Sequence, residues 1–466
     1  MMLGEARRRN ARPGSLLEVR RMPPPASVMW TRFDLGRLGY VAEEFLVTGE
    51  ARAFAAAPDP DGPLRVAGSA AYRTRVVVFR PSDPRRWSGT AVVEWLNCRS
   101  GVDTAPQWIR LHREMIRRGA IWVGVTAQRA GIEGAEGMAP PRHLKALDPQ
   151  RYAALDHPGD AWSFDIFSQA AEAAAAGRLG FAPPACLLGT GSSQSARFLT
   201  TYVNRVDLLA GLFDGFLLSG RHRSAATLEG ESICSGRAPI RVDVRVPVFV
   251  LQPETDPFGR MRSAEVRQPD TARYRCWEVA GAAHGDSYMA RAGNVDDGSG
   301  DVAALAVALA VPPGEWLPLK APMNASPAFQ YVHRAALRHL EAWAKGGEPP
   351  PSAPCLGGDP ATGIARDSHD VALGGVRTPW ADCPAQVYSG ENEEEGEFEG
   401  LFGRTLPLPR AVLAALYPEG VGDYLARFEQ ALRAAVAAGA ILADDVAENL
   451  QLAERIFAIV VSPGDR

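Results

Sequence analysis

The apolar positions of this chain follow two rhythms. Short continuous runs at residues 90–96, 120–126, 185–188, 215–218 and 246–251 read as strands buried on both faces. Residues 273–279 read as a further strand. In Ala70-Tyr72-Thr74-Val76-Val78 the pattern alternates, as in a strand with one wet face. Between these runs, residues 108–118, 160–176, 196–203 and 327–343 have the spacing of helices. The β-loop-α-β order that begins at residue 90 predicts an α/β fold with a mostly parallel, doubly wound sheet. A Pro- and Gly-rich run at 346–359 ends this pattern. Beyond it lie an irregular stretch at 374–382, an acidic loop at 391–399 and two amphipathic helices at 423–438 and 443–460. The expected division is a disordered or mis-started tail at 1–30, a core at 31–346 with a small lid at 219–239, and a helical extension at 347–466 packed on the core.

Composition narrows the function classes. The 466 residues carry 50 Lys and Arg against 54 Asp and Glu, a net charge of −4. No basic stripe suggests nucleic acid, and no run of about 18 apolar residues suggests a membrane span. Residues 1–25 are rich in Arg and Pro and lack the apolar stretch of a secretory leader, so the expected location is the cytoplasm. Six cysteines (Cys98, Cys186, Cys234, Cys276, Cys355 and Cys383) form no C-x-x-C pair and read as reduced, mostly buried thiols. The eight histidines form no H-E-x-x-H or Cys/His cluster, so no metal site is indicated; no cofactor is expected either, because a covalent acyl-enzyme divides the difficult step in two.

The chemistry concentrates at Leu187-Leu188-Gly189-Thr190-Gly191-Ser192-Ser193-Gln194-Ser195-Ala196. A strand runs into a turn of small residues, and a helix follows. That order presents a serine on a strained strand-to-helix elbow, where only small residues fit two places before and two after it. Ser193 meets the rule with Gly191 and Ser195. Ser192 has β-branched Thr190 before it, and Ser195 has bulky Arg197 after it. The motif is therefore G-x-S-x-S. A phosphate loop fits poorly, because no Gly-Lys-Ser/Thr and no third glycine are present.

A nucleophilic serine needs a base and an acid. The strand at 246–251 runs into Gln252-Pro253-Glu254-Thr255-Asp256-Pro257, and the strand at 273–279 ends at Ala280-Gly281-Ala282-Ala283-His284. Serine, acid and histidine thus follow strands in the chain order of the serine hydrolases. One helix and one strand are expected between the acid and the histidine. The loop at 97–103 also follows a strand, and such a loop supplies half of an oxyanion hole.

With these pieces placed, the chain resembles a bacterial family of α/β-hydrolase-domain proteins over residues 39–460. The matching pieces are Val93-Glu94-Trp95-Leu96-Asn97, His157-Pro158-Gly159-Asp160, Gly191-Ser192-Ser193-Gln194-Ser195-Ala196, Val279-Ala280-Gly281-Ala282-Ala283-His284 and Gly375-Val376-Arg377-Thr378-Pro379-Trp380. The resemblance implies an α/β-hydrolase fold with a long C-terminal elaboration. The expected catalytic residues are Ser193, His284 and Asp256, with Glu254 as the rival acid. Asp256 is preferred because it lies deeper in the turn, beside Pro257. The expected oxyanion donors are the backbone N–H of Gln194 and one from Asn97, Cys98 or Arg99. If the extension walls the pocket, Arg377 and Trp380 line it; the same residues also suit a structural loop laid over the core. The expected activity is hydrolysis of a small-molecule ester through an acyl-enzyme. The alternatives are acyl transfer or C–C bond hydrolysis by the same triad, or a non-catalytic binding role.

Overall fold

In the computed structural model, which describes residues 17–24, 26, 31–56, 62–135, 142–231, 236–310, 319–393, 396 and 398–461, the apolar runs assemble into one nine-stranded sheet. In chain order the elements used below are β1 (Glu18–Arg21), β2 (Tyr40–Ala55), β3 (Arg65–Pro81), β4 (Thr90–Trp95), α1 (Pro106–Arg118), β5 (Ile121–Val125), α2 (Ser163–Ala175), β6 (Cys186–Ser192), α3 (Gln194–Thr201), β7 (Gly215–Ser219), β8 (Val248–Pro253), β9 (Tyr274–Val279), α4 (Ala328–Ala344), α5 (Val421–Ala437) and α6 (Val446–Val461). The strand order is β1-β2-β3-β5-β4-β6-β7-β8-β9. The first three strands pair antiparallel, and β4 to β9 run parallel.

The continuous apolar runs are explained by two helical layers. In β4, Ala91, Val93 and Trp95 face α2 and α3, while Val92 faces α1 and α4. In β8, Val248 and Val250 take the first face and Phe249 and Leu251 the second. Side chains alternate with period two, but both faces are dry, so no polar alternation marks the strand. Parallel pairing puts the carboxyl ends of β4, β6, β8 and β9 on one edge. The loop after Trp95, the Ser193 turn, the acid turn and the His284 loop therefore converge there.

Two expectations change, and a third is located. The tail assigned to 1–30 is not wholly disordered, because Glu18–Arg21 pairs with β2 and Arg21 forms an ion pair with Glu43; residues 1–16, 25 and 27–30 lie outside the described residues. No full helix separates Asp256 from His284. Only one 3-10 turn, Ser263–Val266, precedes β9, and Arg267 is tied to Glu278 at 2.7 Å in place of helical packing. The lid candidate at 219–239 is an irregular loop, of which residues 232–235 lie outside the described residues.

The segment after α4 covers the open edge of β9. Arg275 and Trp277 donate to the carbonyls of Pro350 and Pro351 at 2.6 and 2.8 Å. Val376 then extends the sheet, donating to the Glu278 carbonyl at 2.6 Å and accepting from Ala280 at 3.1 Å. A bare sheet edge is a template for aggregation, and this one is capped by the chain itself. α5 and α6 pack Phe428, Leu432 and Phe457 into the core that holds Trp108 and Phe329.

Candidate active site

The Ser193 turn has the strain its sequence implies. Ser193 lies at φ 57° and ψ −118°, a conformation costly for a residue with a Cβ. A Cβ on Gly191 would meet Ser195 Oγ at 3.2 Å and the Ser195 backbone at 3.4 Å. The residues two before and two after Ser193 therefore touch, which is why both are small. Ser195 stabilises the turn as glycine could not: its hydroxyl donates to the Ser192 carbonyl at 2.9 Å and accepts from the Ser192 N–H at 3.0 Å.

His284 Nδ1 lies 2.9 Å from Asp256 Oδ1. Asp256 is fully buried, and burial pushes its carboxyl up against the opposing pull of the imidazole. Its Oδ2 has no hydrogen-bond partner among the described residues. Glu254 faces elsewhere. It accepts from the Gly281 and Gly390 N–H groups at 2.7 and 2.9 Å and from Arg366 at 2.6 Å. The two acids of one turn thus divide: Asp256 meets the histidine, and Glu254 ties the turn to the extension.

Ser193 and His284 are joined by a piece of backbone that sequence reasoning missed. The Ser193 N–H donates to the Ser219 carbonyl at 2.9 Å. The next residue, Gly220, sits at φ 58°, and a Cβ there would come within 2.9 Å of His284 Cε1 and 3.4 Å of Asp256 Oδ2. Ser219-Gly220 therefore packs between the serine turn and the His284–Asp256 pair. The Ser219 hydroxyl reaches a second histidine, His333, at Nε2 (2.9 Å), and His333 Nδ1 donates to the Phe329 carbonyl at 2.8 Å. Both ring nitrogens of His333 are engaged, and burial holds it well below the usual histidine range.

The oxyanion candidates separate in the same way. The Asn97 N–H is committed to the Thr104 carbonyl at 2.9 Å, so the donor role expected of Asn97 does not fit. Its side chain instead donates to the Ser192 carbonyl at 2.9 Å and accepts from the Arg99 N–H at 2.9 Å. The Cys98 N–H makes only a long contact, 3.4 Å to Gln194 Oε1. The Gln194 N–H opens α3, where the first turn's N–H groups have no partner within the helix. A polar chain holds this corner. Gln194 Nε2 donates to Gln128 Oε1 at 2.7 Å, Trp95 Nε1 donates to the same oxygen at 3.1 Å, and Gln128 Nε2 donates to Asp160 at 2.9 Å. His157 completes the adjoining turn, donating from Nε2 to the Ala127 carbonyl at 2.9 Å.

Arg377 and Trp380 serve the packing of the extension. Trp380 is buried edge-on against Phe428 and donates to Asn449 at 2.9 Å, while Arg377 binds Asp382 and the Ala372 carbonyl. The extension nevertheless reaches the site from behind. Thr255 Oγ1 donates to the Gly390 carbonyl at 2.8 Å and accepts from the His284 N–H at 3.0 Å. Asn324 donates to the Gly281 and Ser389 carbonyls at 3.1 and 2.9 Å. Among the described residues no group of three or more His, Cys, Asp and Glu could hold a metal, the cysteines Cys98, Cys276, Cys355 and Cys383 are free, and no helix is long and apolar enough to cross a membrane.

A family model described as alpha/beta hydrolase domain matches residues 12–451. No curated protein matches the chain. Among solved structures, the chain is similar to a putative dienelactone hydrolase from Klebsiella pneumoniae (16% identity, 47% of this chain and 78% of that one, TM-score 0.29). It is also similar to a cold-adapted esterase from an Arctic intertidal metagenomic library (14%, 51% and 84%, TM-score 0.31). A third is a glucuronoyl esterase from Solibacter usitatus (11%, 58% and 83%, TM-score 0.30).

Proposed function

The chain belongs to the alpha/beta hydrolase domain family, and on that premise we propose that it is a serine hydrolase of small-molecule carboxylic esters. One observation carries the reading. A positive-φ serine at a strand-to-helix turn and a His284–Asp256 pair at 2.9 Å pack against the same two backbone residues, Ser219 and Gly220.

With Asp256 ionised, His284 Nδ1–H donates to it, and Nε2 is the lone-pair nitrogen. Nε2 takes the Ser193 proton as Oγ attacks the ester carbonyl, and Asp256 supports the imidazolium that forms. The proton then passes to the leaving alcohol, and water repeats the cycle on the acyl-enzyme. The N–H groups of Gln194 and Cys98 bind the developing oxyanion. Cys98 leaves its 3.4 Å contact with Gln194 Oε1 for the stronger charge-assisted bond. No step calls on a cofactor.

The test is labelling of the purified chain with a fluorophosphonate, together with turnover of p-nitrophenyl esters of graded chain length. The expected result is one label on Ser193 and ester turnover, both lost in Ser193→Ala and His284→Ala. A folded chain that takes no label and turns over no ester refutes the proposal.

A further inference from the structure

The His157-Pro158-Gly159-Asp160 stretch takes no direct part in the proposed reaction, yet it binds three consecutive residues of the loop after β5. His157 Nδ1 accepts from the Gly159 N–H at 3.2 Å, which leaves its Nε2–H to donate to the Ala127 carbonyl at 2.9 Å. Asp160 Oδ2 accepts from Gln128 Nε2 at 2.9 Å, and Asp160 Oδ1 accepts from the Arg129 N–H at 2.8 Å. Ala127, Gln128 and Arg129 are thus each held by one turn, which leads into α2. Gln128 is buried, and so are the two side chains it meets on its other side, Trp95 at the end of β4 and Gln194 at the start of α3. The carboxyl ends of two neighbouring strands and the first residues of two helices are joined through this one amide.

The join has a direction. A carboxylate only accepts hydrogen bonds, so Gln128 turns Nε2 toward Asp160 and Oε1 away from it. Trp95 Nε1, which only donates, meets that oxygen at 3.1 Å and imposes the same orientation. Gln194 then offers Gln128 its own Nε2, at 2.7 Å, and its Oε1 is left facing the Cys98 N–H at 3.4 Å. Turning over either amide sets donor against donor and acceptor against acceptor. In the proposed mechanism Gln194 therefore gives one oxyanion donor with its backbone and holds the other with its side chain. The bond to Cys98 is long, so a developing oxyanion displaces it readily while the loop stays aimed.

We propose that Asp160 and Gln128 are positioning residues for the oxyanion hole: the carboxylate fixes the direction of two amides in series, and so aims Gln194 Oε1 at the Cys98 N–H. The proposal rests on the oxyanion assignment made above. Neither residue touches the substrate. Their effect is to keep a donor oriented before charge develops, so that no reorganisation is needed at the moment of attack.

The test is kcat and KM for p-nitrophenyl butyrate, with active sites counted by fluorophosphonate labelling taken to completion. Gln128→Met removes the amide. It is expected to lower kcat per labelled site by about tenfold or more with KM little changed, because the lost interaction belongs to the transition state. Gln128→Glu keeps the acceptor for Trp95 and Gln194 but sets two carboxylates face to face, and kcat is expected to fall likewise. Adding Asp160→Asn to Gln128→Glu exchanges amide and carboxylate. The amide at 160 then donates to the carboxylate at 128 and still accepts from the Arg129 N–H, so the bonds toward Gln194 regain their direction and most of kcat is expected to return. These two variants keep side-chain volume, so the comparison holds even where Gln128→Met does not fold. If kcat per labelled site stays at the parent value while only the melting temperature falls, or if the double variant is no faster than Gln128→Glu, the positioning role is overturned and the hydrolase reading stands. A parent chain that takes no label and turns over no ester overturns both.

Discussion

At the scale of single residues, Glu254 and Asp256 are the sharpest pair. Both are fully buried in one turn, yet they have different partners. Asp256→Asn leaves the packing intact but allows the wrong His284 tautomer, and kcat is expected to fall roughly ten-thousandfold. Glu254→Gln instead leaves Arg366 short of a buried counter-charge. It is expected to cost about 3 kcal/mol in urea unfolding, with kcat within about tenfold of the parent. An inverted result, with kcat lost in the glutamine variant and kept in the asparagine variant, would make Glu254 the triad acid. Gly220→Ala is a second probe. Its φ of 58° and the 2.9 Å approach to the imidazole leave no room for a methyl group. On the proposed mechanism, displacing His284 by about 1 Å is expected to lower kcat by about a hundredfold, checked with p-nitrophenyl ester turnover beside a thermal melt. That the Ser193 turn, the acid turn and the His284 loop come together is legible in the sequence, because each follows a strand and small neighbours mark them. The choice between the acids is not, since Arg366 and Gly390 lie more than a hundred residues from Glu254. Gln128 and Gly220 act only through contacts made in the folded chain, and their local sequence carries no mark. Trp380 is a residue type that suits a pocket wall and a core equally, and only its contact with Phe428 distinguishes the two.

At the scale of elements, the parallel strands could be read because burial on both faces leaves uninterrupted apolar runs. β4 contains an exception inside such a run. Glu94 is fully buried on the α1 face, where its carboxyl accepts from the Gln107 and Trp108 N–H groups at 2.9 Å and from Trp122 Nε1 at 2.8 Å. It caps α1 from the neighbouring strand, and so anchors the end of the loop that carries Cys98. Burial, opposed by these three donors, pushes it up to about 8. The unfolded chain therefore releases this proton at lower pH than the folded chain. Glu94 contributes stability that is complete below the ordinary glutamate range and is lost as pH rises toward 8. Glu94→Gln does not titrate. The unfolding free energy of the wild type minus that of Glu94→Gln is expected to fall between pH 5 and pH 8, by up to about 1.4 kcal/mol per pH unit. A difference that stays flat or rises over this range contradicts the assignment. The elements that escaped the sequence are those that depend on a partner. Glu18–Arg21 is a strand because β2 offers it an edge. The stretch between Asp256 and β9 forms no full helix because Arg267, Gln268 and Arg273 bind neighbouring strands and loops instead.

At the scale of the whole molecule, the question is whether residues after α4 form an appendage or part of the core. The sequence marks a change of pattern near residue 346, which suggests a boundary. Contacts across it are extensive, as expected of an extension packed on the core. Arg334, with no exposure, is held by Asp445 and Glu448 of the C-terminal region at 3.3 Å each and by Asp296 at 3.5 Å. Arg113 and Arg117 of α1 reach Glu448 and Asp445, both at 2.6 Å. Phe428, Leu432 and Phe457 share a hydrophobic cluster with α1 and α4. Removing everything after Lys345 exposes that cluster, bares the edge of β9 and leaves Arg334 buried with one acid in place of three. It also strips Glu254 of Arg366 and Gly390, and Thr255 of Gly390. The fragment ending at Lys345 is therefore expected to aggregate or to lack a cooperative melt, as judged by size exclusion and near-ultraviolet circular dichroism. A monomeric fragment with a sharp melt and undiminished fluorophosphonate labelling would establish the boundary that the sequence suggests. The double variant Asp445→Asn/Glu448→Gln asks the same question without deleting any chain. It keeps side-chain volume and removes two buried counter-charges, and its expected cost is about 3–5 kcal/mol of unfolding free energy. A loss of that size places the extension within the cooperative unit. A loss near zero makes it a separately folding layer, and the support it gives His284 through Thr255 and Gly390 becomes dispensable.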